Sequence, residues 1–550
     1  MYVDGKSVQF SDDDKDSVDD GTKTKIKENE HTGIWFLQNK EYLDENGFEE
    51  PNEVFVTEIP AKFHDDPRVI EAKKDELRKW KDFDAYEEVD FDNQHVLTTR
   101  WVVTEKEGGK AKSRLCVRGF QEKEYPQSDS PTAQKESFKI FLAAAANEGF
   151  KIKTLDVTSA FLQGYPLERD VYVWPPPECK TEGIVWKLKK SCYGLYDASR
   201  RWFMAVKEQL LELKMKSLSG DDALFYLIED GKLIGMCNLH VDDFLIGGTP
   251  DFLNRIERKL KGRFTFGKIE LQKFKYTGLN IEQNEEGIFI DQNEYIQSIK
   301  PIEIVKCKDK NEKLSAKKFK EYRALTGQLS WAAENTRPDI AYDVRELSTR
   351  NKAATYEDLR TANKVLKKAQ MENVSIRYGK LGNWKDLKLV AFTDSSYRNA
   401  EDGTKSVGGR FLAIANNKGK CNPIAWKSKT IQQVCKSVKS AETRSLELGM
   451  EDGIYVAQTF HELYTGKVHG GQIPVEMKID SKTLMDSIDS SKQVDEKTIR
   501  HIVAWIKQQR DEKFVKDIEW ITSEEMLADV FTKKNVNTDH ILQTVVEGNL

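Results

Sequence analysis

Apolar and polar residues alternate along several short segments in the first half of the chain, and this period of two predicts β-strands. Two pairs of segments flank turn-like sequences, so each pair predicts a hairpin. The tip of the second hairpin is Asp242-Asp243, and a separate apolar strand ends at Asp156. The predicted strands cover 96–104, 114–120, 151–155 and the two arms of 235–248. The pattern therefore places acidic residues at the ends of apolar strands.

A helical spacing of apolar residues, three or four apart, separates these strands and dominates the middle of the chain. The predicted helices cover 68–81, 138–146, 252–261, 317–333 and 355–369. The stretch 298–385 is therefore predicted to be a helix-rich connector, and its sequence contains no acidic cluster of its own.

From Leu387 onward the pattern starts again as a separate α/β unit. The predicted strands are 387–393, 409–415, 424–427 and 475–479, and the predicted helices are 440–455, 496–510 and 522–533. Thr522 and Glu525 have the spacing of a capping box at the start of the last helix. Asp394 and Asp480 each follow a strand, so this unit also has acids at strand ends.

Composition limits the class of protein. With 550 residues, the chain is long enough for three or four domains. The longest apolar run, 140–146, is far shorter than the roughly 20 residues that a bilayer requires, so we expect no membrane partner. No secretory leader is recognisable, and the seven cysteines show no CxxC spacing. These features predict an intracellular protein with reduced thiols and no structural zinc.

The net charge is −5, which argues only weakly against a nucleic-acid partner, because local grooves of Lys and Arg decide such affinity. Much of the acidity lies in 11–30, which is rich in Asp, Lys and Ser and almost lacks large apolar residues. Such a segment cannot bury enough surface to offset its chain entropy. We therefore expect an acidic, disordered leader over 1–50.

The first acidic cluster suits the addition of a nucleotide to a strand. That reaction places a 3′-hydroxyl in line with a phosphate, and two Mg²⁺ held by carboxylates supply the positive charge. Magnesium prefers hard oxygen ligands, which Asp provides. If the strand that ends at Asp156 lies beside the hairpin, then Asp156 and Asp242 reach one point. Asp pairs in hairpins are usually structural, but this pair interrupts an otherwise apolar hairpin.

Several blocks resemble the reverse transcriptase of copia-type (Pseudoviridae) LTR retrotransposon Pol polyproteins, and they occur in that family's order. The blocks are SRLCVRGFQ at 113–121, TLDVTSAFLQG at 154–164, LKKSCYGL at 188–195, HVDD at 240–243, YRALTG at 322–327 and TRPDIAY at 336–342. The resemblance implies a right-hand polymerase of the α+β class, with fingers and palm over 51–297. A helical thumb or connection would follow over 298–385.

The resemblance also assigns roles to the first acidic cluster. Asp156, Asp242 and Asp243 would be the catalytic carboxylates, with Asp156 and Asp242 as the principal metal ligands. The backbone carbonyl of Val157 would also face a metal.

Five further residues are implied to bind the nucleotide. Lys112 and Arg114 would hold the triphosphate of the incoming nucleotide. Phe161 would lie beneath the sugar and exclude a 2′-hydroxyl, which selects deoxynucleotides. Tyr193 and Gly194 would pack against the base.

Three positions depart from the family pattern. His240 stands where Tyr is usual, Asp197 where Gln is common, and Ser199 where Pro is common. None of these changes removes a metal ligand, so we expect activity that is altered rather than lost. Asp197 is expected to add negative charge near the template path.

The last unit resembles a ribonuclease H of the same elements. The phrases that carry the resemblance are FTDSSY at 392–397, SAE at 440–442, KIDS at 478–481 and MLADVFTK at 526–533. It implies an α/β ribonuclease H-like domain over 386–550, with Asp394, Glu442, Asp480 and Asp529 as catalytic metal ligands. Any one of these acids alone would more often be a surface residue. Together they would hold two Mg²⁺ and cut a phosphodiester with activated water.

These resemblances imply an RNA-directed DNA polymerase that copies retrotransposon RNA into DNA, with a ribonuclease H that removes the RNA of the hybrid. Each site would use two Mg²⁺, with Mn²⁺ as a substitute. The implied partners are an RNA template, a DNA or tRNA primer, the RNA–DNA hybrid and deoxynucleoside triphosphates. The expected location is cytoplasmic, within virus-like particles, or nuclear. Two alternatives remain: an inactive remnant that binds nucleic acid, and a ribonuclease H attached to an inactive polymerase.

Overall fold

The computed structural model describes residues 58–105, 109–304, 309–399, 403–468 and 471–550. The leader predicted for 1–50 lies outside these residues, and the turn-like sequence between the strands predicted over 96–104 and 114–120 lies partly outside them. Among the described residues, no helix has both the length and the apolar character needed to cross a bilayer.

The first part of the chain mixes short helices with strands, and it confirms the helices predicted near 68–81, 138–146 and 252–261. Its elements are α1 (Pro67–Asp82), β1 (Tyr86–Asp90), β2 (Val96–Leu97), β3 (Thr99–Glu105), β4 (Ala111–Val117), α2 (Lys135–Glu148), β5 (Lys151–Val157), α3 (Ala160–Gln163), β6 (Tyr172–Val173), β7 (Ile184–Leu188), α4 (Ala198–Glu212), β8 (Lys216–Ser217), β9 (Leu224–Glu229), β10 (Lys232–His240), β11 (Asp243–Gly248), α5 (Pro250–Lys261) and β12 (Phe266–Leu271).

The strand predicted over 114–120 is shifted by three residues, because β4 covers Ala111–Val117. Strand β4 ends at Val117, and Gly119–Gln121 forms a 3-10 turn instead. The cause is close packing of two backbones, because a Cβ on Gly119 would lie 2.2 Å from the carbonyl oxygen of Gly194. The chain bends away from its strand where it meets this neighbour.

A six-stranded sheet in the order β12-β5-β11-β10-β9-β8 forms the centre of this first part. Strand β5 lies between β11 and β12 and is antiparallel to both. The carboxyl end of β5 and the turn between β10 and β11 therefore share one edge of the sheet. A smaller sheet, β1-β7-β6-β2, and the hairpin β3-β4 accompany this sheet.

The middle of the chain confirms the helices predicted over 317–333 and 355–369. Its elements are β13 (Lys273–Tyr276), β14 (Leu279–Asn284), β15 (Gly287–Asp291), α6 (Asn293–Ser298), α7 (Ala316–Asn335), α8 (Ala341–Thr349), α9 (Tyr356–Met371) and β16 (Ser375–Tyr378). Strand β16 pairs with β15, so the connector also completes a four-stranded sheet with the order β13-β14-β15-β16.

The last part is a five-stranded sheet with helices, and all four predicted strands are confirmed. Its elements are β17 (Lys388–Ser396), β18 (Val407–Ala415), β19 (Cys421–Thr430), α10 (Val438–Thr465), β20 (Val475–Ile479), α11 (Lys482–Asp489), α12 (Arg500–Asp511), β21 (Asp517–Trp520) and α13 (Asp539–Gln543). The strand order is β19-β18-β17-β20-β21, with β20 parallel to β17 and to β21.

The helix predicted over 522–533 is wrong. Two 3-10 turns, Ser523–Glu525 and Leu527–Phe531, take its place, and Met526 between them is extended (ψ 94°). The capping box of Thr522 and Glu525 is present, but it caps the first 3-10 turn. Four of the five residues in the second turn are buried, which a two-sided α-helix at the edge of a core could not achieve.

Helix α10 ends at Thr465 rather than at 455, and its extra turns pack on the first part of the chain. The buried carboxylate of Glu462 accepts hydrogen bonds from the backbone N–H of Ser219 (3.0 Å) and its hydroxyl (2.6 Å), and from the hydroxyl of Tyr226 (3.4 Å). Phe460 on the same helix belongs to one continuous apolar core with Phe141 of α2. The two halves of the protein are therefore packed as one body.

Candidate active sites

The first acidic cluster is assembled by strand register. In the antiparallel pair of β5 and β11, Asp156 lies directly opposite Asp243. The backbone N–H of Val157 donates to the carbonyl oxygen of Asp242 (3.3 Å), which fastens the turn to β5. The three acids predicted for this site thus meet at one edge of the sheet, with Val157 beside them.

The turn that carries Asp242 has a strained backbone. Val241 has a φ of +53°, a left-handed conformation that a β-branched residue adopts only at a cost. The indole N–H of Trp202 donates to the carbonyl oxygen of Val241 (2.6 Å), and Trp202 is buried. A rigid helix side chain therefore holds the turn in this conformation.

Electrostatics show that these acids repel one another. Burial, together with the charges of Asp242 and Asp156, raises the pKa of Asp243 to about 7, while Lys112 opposes the shift. A Cβ on Gly267 would lie 3.2 Å from the carboxylate of Asp156, so this carboxylate packs closely against the backbone of β12. Hard oxygen ligands that repel one another in this way fit a divalent cation such as Mg²⁺.

The predicted nucleotide-binding residues surround these acids. The rings of Phe161 and Tyr193 meet edge to face, with centroids 4.8 Å apart, and the guanidinium of Arg114 lies 5.3 Å from the ring centre of Tyr193. Burial and then the charge of Asp242 raise the pKa of the Tyr193 hydroxyl. The Nε of Arg114 is buried without a hydrogen-bond partner, which suits an anion that would approach it.

Gly194 is required by its backbone. Its φ is +96°, and a Cβ there would lie 1.9 Å from the carbonyl oxygen of Val117. The N–H of Val117 in turn donates to the carbonyl oxygen of Tyr193 (2.8 Å). The segment that carries Tyr193 is thus fixed against β4, the strand of Lys112 and Arg114.

The second acidic cluster is tighter than the first. Asp394 on β17, Asp480 just after β20 and Asp529 in the second 3-10 turn each offer a carboxylate oxygen within 4.8 Å of the others. Among the described residues, no other group of three or more His, Cys, Asp or Glu side chains brings its ligand atoms this close together. The acids of the first site are neighbours in register but are less closely gathered.

Glu442 approaches this second cluster from α10. The hydroxyl of Ser395 donates to its carboxylate (2.7 Å), and both Glu442 and Asp394 are buried. Burial and then the charge of Asp394 raise the pKa of Glu442 well above its usual value. Burial likewise raises the pKa of Asp394 to about 7, while Lys533 opposes that shift. The three aspartates fit a divalent metal, while Glu442 lies outside that group of three and is linked to Asp394 by charge.

Two residues that the sequence did not single out contact this cluster. The ammonium of Lys533 lies 2.6 Å from Asp529 and 3.6 Å from Asp394, and the hydroxyl of Thr532 donates to Asp394. Lys533 follows Asp529 by four residues, a spacing that could have indicated their ion pair from the sequence. The contact with Asp394 joins residues 139 positions apart, which no local pattern reveals.

Comparison with known proteins identifies part of the chain. Residues 83–314 match the family described as reverse transcriptase (RNA-dependent DNA polymerase). The Pol polyprotein from transposon RE1 of Arabidopsis thaliana is 30% identical over 377 residues, and that from transposon TNT 1-94 of Nicotiana tabacum is 26% identical over 510 residues. Residues 83–314 thus match a reverse transcriptase domain, and the similar proteins are copia-type retrotransposon Pol polyproteins.

The extent of these matches differs between the two relatives. The alignment covers 64% of this chain and 25% of the RE1 polyprotein, and 85% of this chain and 36% of the TNT 1-94 polyprotein. The chain thus spans a quarter to about a third of these relatives. A foamy viral protease-reverse transcriptase in complex with double-stranded DNA is similar in structure, with a TM-score of 0.51 and 13% identity. The structural match covers 84% of this chain and 70% of the foamy viral chain, and it supports a reverse transcriptase fold.

One departure from the copia-type pattern is compensated inside the structure. The carboxylate of Asp197 is buried and accepts hydrogen bonds from Arg169 (2.6 and 3.1 Å) and Arg201 (2.6 Å). Arg169 also donates to Glu122 (2.7 and 3.0 Å). The expectation that Asp197 adds charge along the template path is therefore wrong, because two guanidinium groups neutralise it.

His240 lies opposite Asp243 in the hairpin register and is partly buried. Burial lowers its pKa below the usual value, although the charge of Asp242 opposes this shift. The imidazole is therefore neutral near pH 7. One of its ring nitrogens can then donate a hydrogen bond, and the other can accept one.

Proposed function

We propose that this protein is an RNA-directed DNA polymerase that copies retrotransposon RNA into DNA and also cleaves the RNA of the resulting hybrid. The observation that carries the polymerase half is the register that sets Asp156 opposite Asp243, with Asp242 fastened to Val157. The reverse transcriptase domain at 83–314 contains all of these residues.

The polymerase site would hold two Mg²⁺, or Mn²⁺ in their place, through Asp156, Asp242 and the carbonyl of Val157. When bound, these ions supply positive charge to the phosphates of the nucleotide. The protein's own part is to position the substrates. Arg114 and Lys112 bind the triphosphate, and the unpartnered Nε of Arg114 supports this role.

The sugar and base are held on the other side of the site. Phe161 lies beneath the sugar, where its ring, supported edge to face by Tyr193, leaves no room for a 2′-hydroxyl. Tyr193 and Gly194 line the base. This arrangement favours deoxynucleoside triphosphates over ribonucleotides.

The observation that carries the ribonuclease H half is the gathering of Asp394, Asp480 and Asp529 within 4.8 Å, with Glu442 beside Asp394. We assign this activity to 386–550, with 51–297 as fingers and palm and 298–385 as thumb. The strand order of the last sheet and its parallel central pair support a ribonuclease H-like domain. Two Mg²⁺ held here would activate a water molecule for phosphodiester cleavage.

The substrates proposed are an RNA template with a DNA or tRNA primer, and the RNA–DNA hybrid that copying produces. A protein recognises such a hybrid by shape, phosphates and 2′-hydroxyls rather than by base sequence. The foamy viral neighbour was described in complex with double-stranded DNA, which supports a duplex partner for this fold. We propose that the protein acts in cytoplasmic virus-like particles or in the nucleus.

The test gives the full chain a primed RNA template, deoxynucleotides and Mg²⁺, and in parallel a labelled RNA–DNA hybrid. We expect primer extension and RNA cleavage. Asp242→Asn should abolish extension and spare cleavage, whereas Glu442→Gln should do the reverse. The matched controls are Asp251→Asn and Glu451→Gln, which change exposed acids on α5 and α10.

The outcomes separate the alternatives. If the unmodified protein neither extends nor cleaves, the enzymatic proposal is wrong and the chain is an inactive nucleic-acid-binding remnant. Cleavage without extension identifies a ribonuclease H attached to an inactive polymerase. Loss of both activities in each single variant would contradict the division into two sites.

A further inference from the structure

Two exposed tyrosines touch each other beside the polymerase site. Tyr125 is 74% exposed and Tyr196 is 38% exposed, and their rings meet edge to face with centroids 5.4 Å apart. Phe120, in the turn that follows β4, is 68% exposed. Water-exposed rings of this size are unfavourable unless something covers them, so a group of them marks a surface for interaction.

The backbones beneath these rings are fixed next to the nucleotide-binding residues. Tyr196 follows Tyr193 by three positions, and a Cβ on Gly119 would clash with the carbonyl oxygen of Gly194 at 2.2 Å. The next residue along, Asp197, is anchored by its buried ion pairs with two arginines. The aromatic surface therefore has a defined position relative to the base of an incoming nucleotide.

Cations accompany the aromatic pair. Arg118 and Lys123 are exposed, and neither forms an ion pair with another described residue. Arg200 donates to the backbone carbonyl of Asp129 (3.1 Å), so its charge is not matched by a carboxylate contact there. The exposed acids in the same segment are Glu124 and Asp129. Open rings beside cations suit single-stranded nucleic acid, which offers base faces and phosphates together.

We propose that Tyr125 and Tyr196 form a stacking platform for the unpaired bases of a template strand just ahead of the nucleotide site. This proposal rests on the proposed polymerase function. The platform holds the next template base by its face, and Arg118 and Lys123 contact the flanking phosphates. Stacking does not depend on base identity, so the platform serves every template sequence.

The experiment measures binding of the full chain to a primed template in the absence of deoxynucleotides. The template carries a four-nucleotide 5′ overhang with 2-aminopurine at its first or second unpaired position, and a blunt duplex of the same sequence serves as reference. We expect the unmodified protein to prefer the overhang and to change the 2-aminopurine fluorescence. Tyr125→Ala and Tyr196→Ala should each weaken binding to the overhang roughly fivefold or more, the effect of losing one stacked base.

Two controls make the result specific. Tyr125→Phe and Tyr196→Phe keep the ring and should retain both the preference and the fluorescence change. Phe63→Ala removes an aromatic side chain that is 54% exposed elsewhere and should change neither. Because both tyrosines are exposed, circular dichroism should show all variants folded.

Failure of the platform and failure of the polymerase proposal give different results. If the unmodified protein binds both duplexes equally, or if the alanine variants match it, the platform is wrong while the polymerase proposal stands. If the protein binds neither duplex, the polymerase proposal fails and the platform fails with it. A preference that the alanine variants lose and the phenylalanine variants keep supports the platform.

Discussion

Trp202 and Val241 are joined by a hydrogen bond of 2.6 Å, from the indole N–H of a helix to the carbonyl of the turn that presents Asp242. The bond holds the backbone of Val241 in a left-handed conformation next to Asp242, a proposed catalytic carboxylate. Strain of this kind persists only when the surroundings impose it. The turn therefore depends on a side chain outside the acidic cluster.

We predict that Trp202→Phe lowers primer extension several-fold while RNA cleavage stays unchanged. The variant loses one hydrogen bond, worth about 1 kcal/mol, and it frees the turn to relax. Trp186→Phe is the matched control, because Trp186 is equally buried but its indole N–H has no hydrogen-bond partner. Equal extension rates in the two variants would show that the bond to Val241 has no role.

Asp197 leads to a prediction that runs against family resemblance. Asp197→Gln introduces the residue common in copia-type enzymes, yet we expect it to destabilise this protein by about 3 kcal/mol. It would leave the partly buried guanidinium groups of Arg169 and Arg201 short of a carboxylate. Urea unfolding of the full chain measures the change. Asp170→Asn, which breaks an exposed ion pair with Lys187, should leave the free energy of unfolding nearly unchanged.

Lys533 should oppose metal binding at the second cluster. We predict that Lys533→Met binds Mn²⁺ about fivefold more tightly, since a half-exposed ion pair is worth roughly 1 kcal/mol. Titration calorimetry measures the affinity directly and does not depend on cleavage. Lys534→Met, at the exposed neighbouring position, should leave the affinity unchanged. Weaker binding in Lys533→Met would reverse the assigned role.

Lys139 should make stability depend on pH. Its ammonium is buried above the ring of Trp426, and burial lowers its pKa to about 7, although Glu136 opposes this shift. In the unfolded chain, Lys139 keeps its proton up to about pH 10.4. Between pH 7 and that value, the unfolded chain therefore binds more protons at this residue than the folded chain does. Stability from this group therefore rises with pH across that window.

Lys139→Met tests this dependence. We expect the variant to be more stable than the unmodified protein at pH 7, and we expect its stability to lack the rise with pH that comes from Lys139. Lys151→Met, at an exposed position on β5, is the control and should keep the original profile. Urea unfolding at pH 7, 8.5 and 9.5 measures both. A Lys139→Met profile parallel to that of the unmodified protein would contradict a low pKa in the folded state.

The parts that could be predicted from sequence were those that depend on neighbouring residues. Strand β20 was predicted at its observed bounds because five alternating residues leave little choice of register. The acids Asp156 and Asp394 were found because each ends or interrupts an apolar strand. Neighbouring strands place Asp156 opposite Asp243, one residue beyond the Asp242 that the pattern had indicated, and they bring Asp394 close to Asp480.

What could not be predicted depends on contacts between distant parts of the chain. Asp197 meets Arg169 across 28 positions and Glu122 lies 47 positions from Arg169, so the neutralised cluster has no local signature. Residues 522–533 have the capping and apolar content of a helix. Packing of Phe531 and its neighbours against β18 favours 3-10 turns instead.

The long helix α10 constrains how the protein can be taken apart. If the chain were cut between 385 and 386 and the two parts separated, the carboxylate of Glu462 would lose its hydrogen bonds with Ser219 and Tyr226. The side chain of Phe460 would become exposed to water. A fragment of 386–550 would therefore expose an apolar surface that includes a carboxylate, and this surface is covered in the whole protein. Heating should therefore melt both units in a single transition.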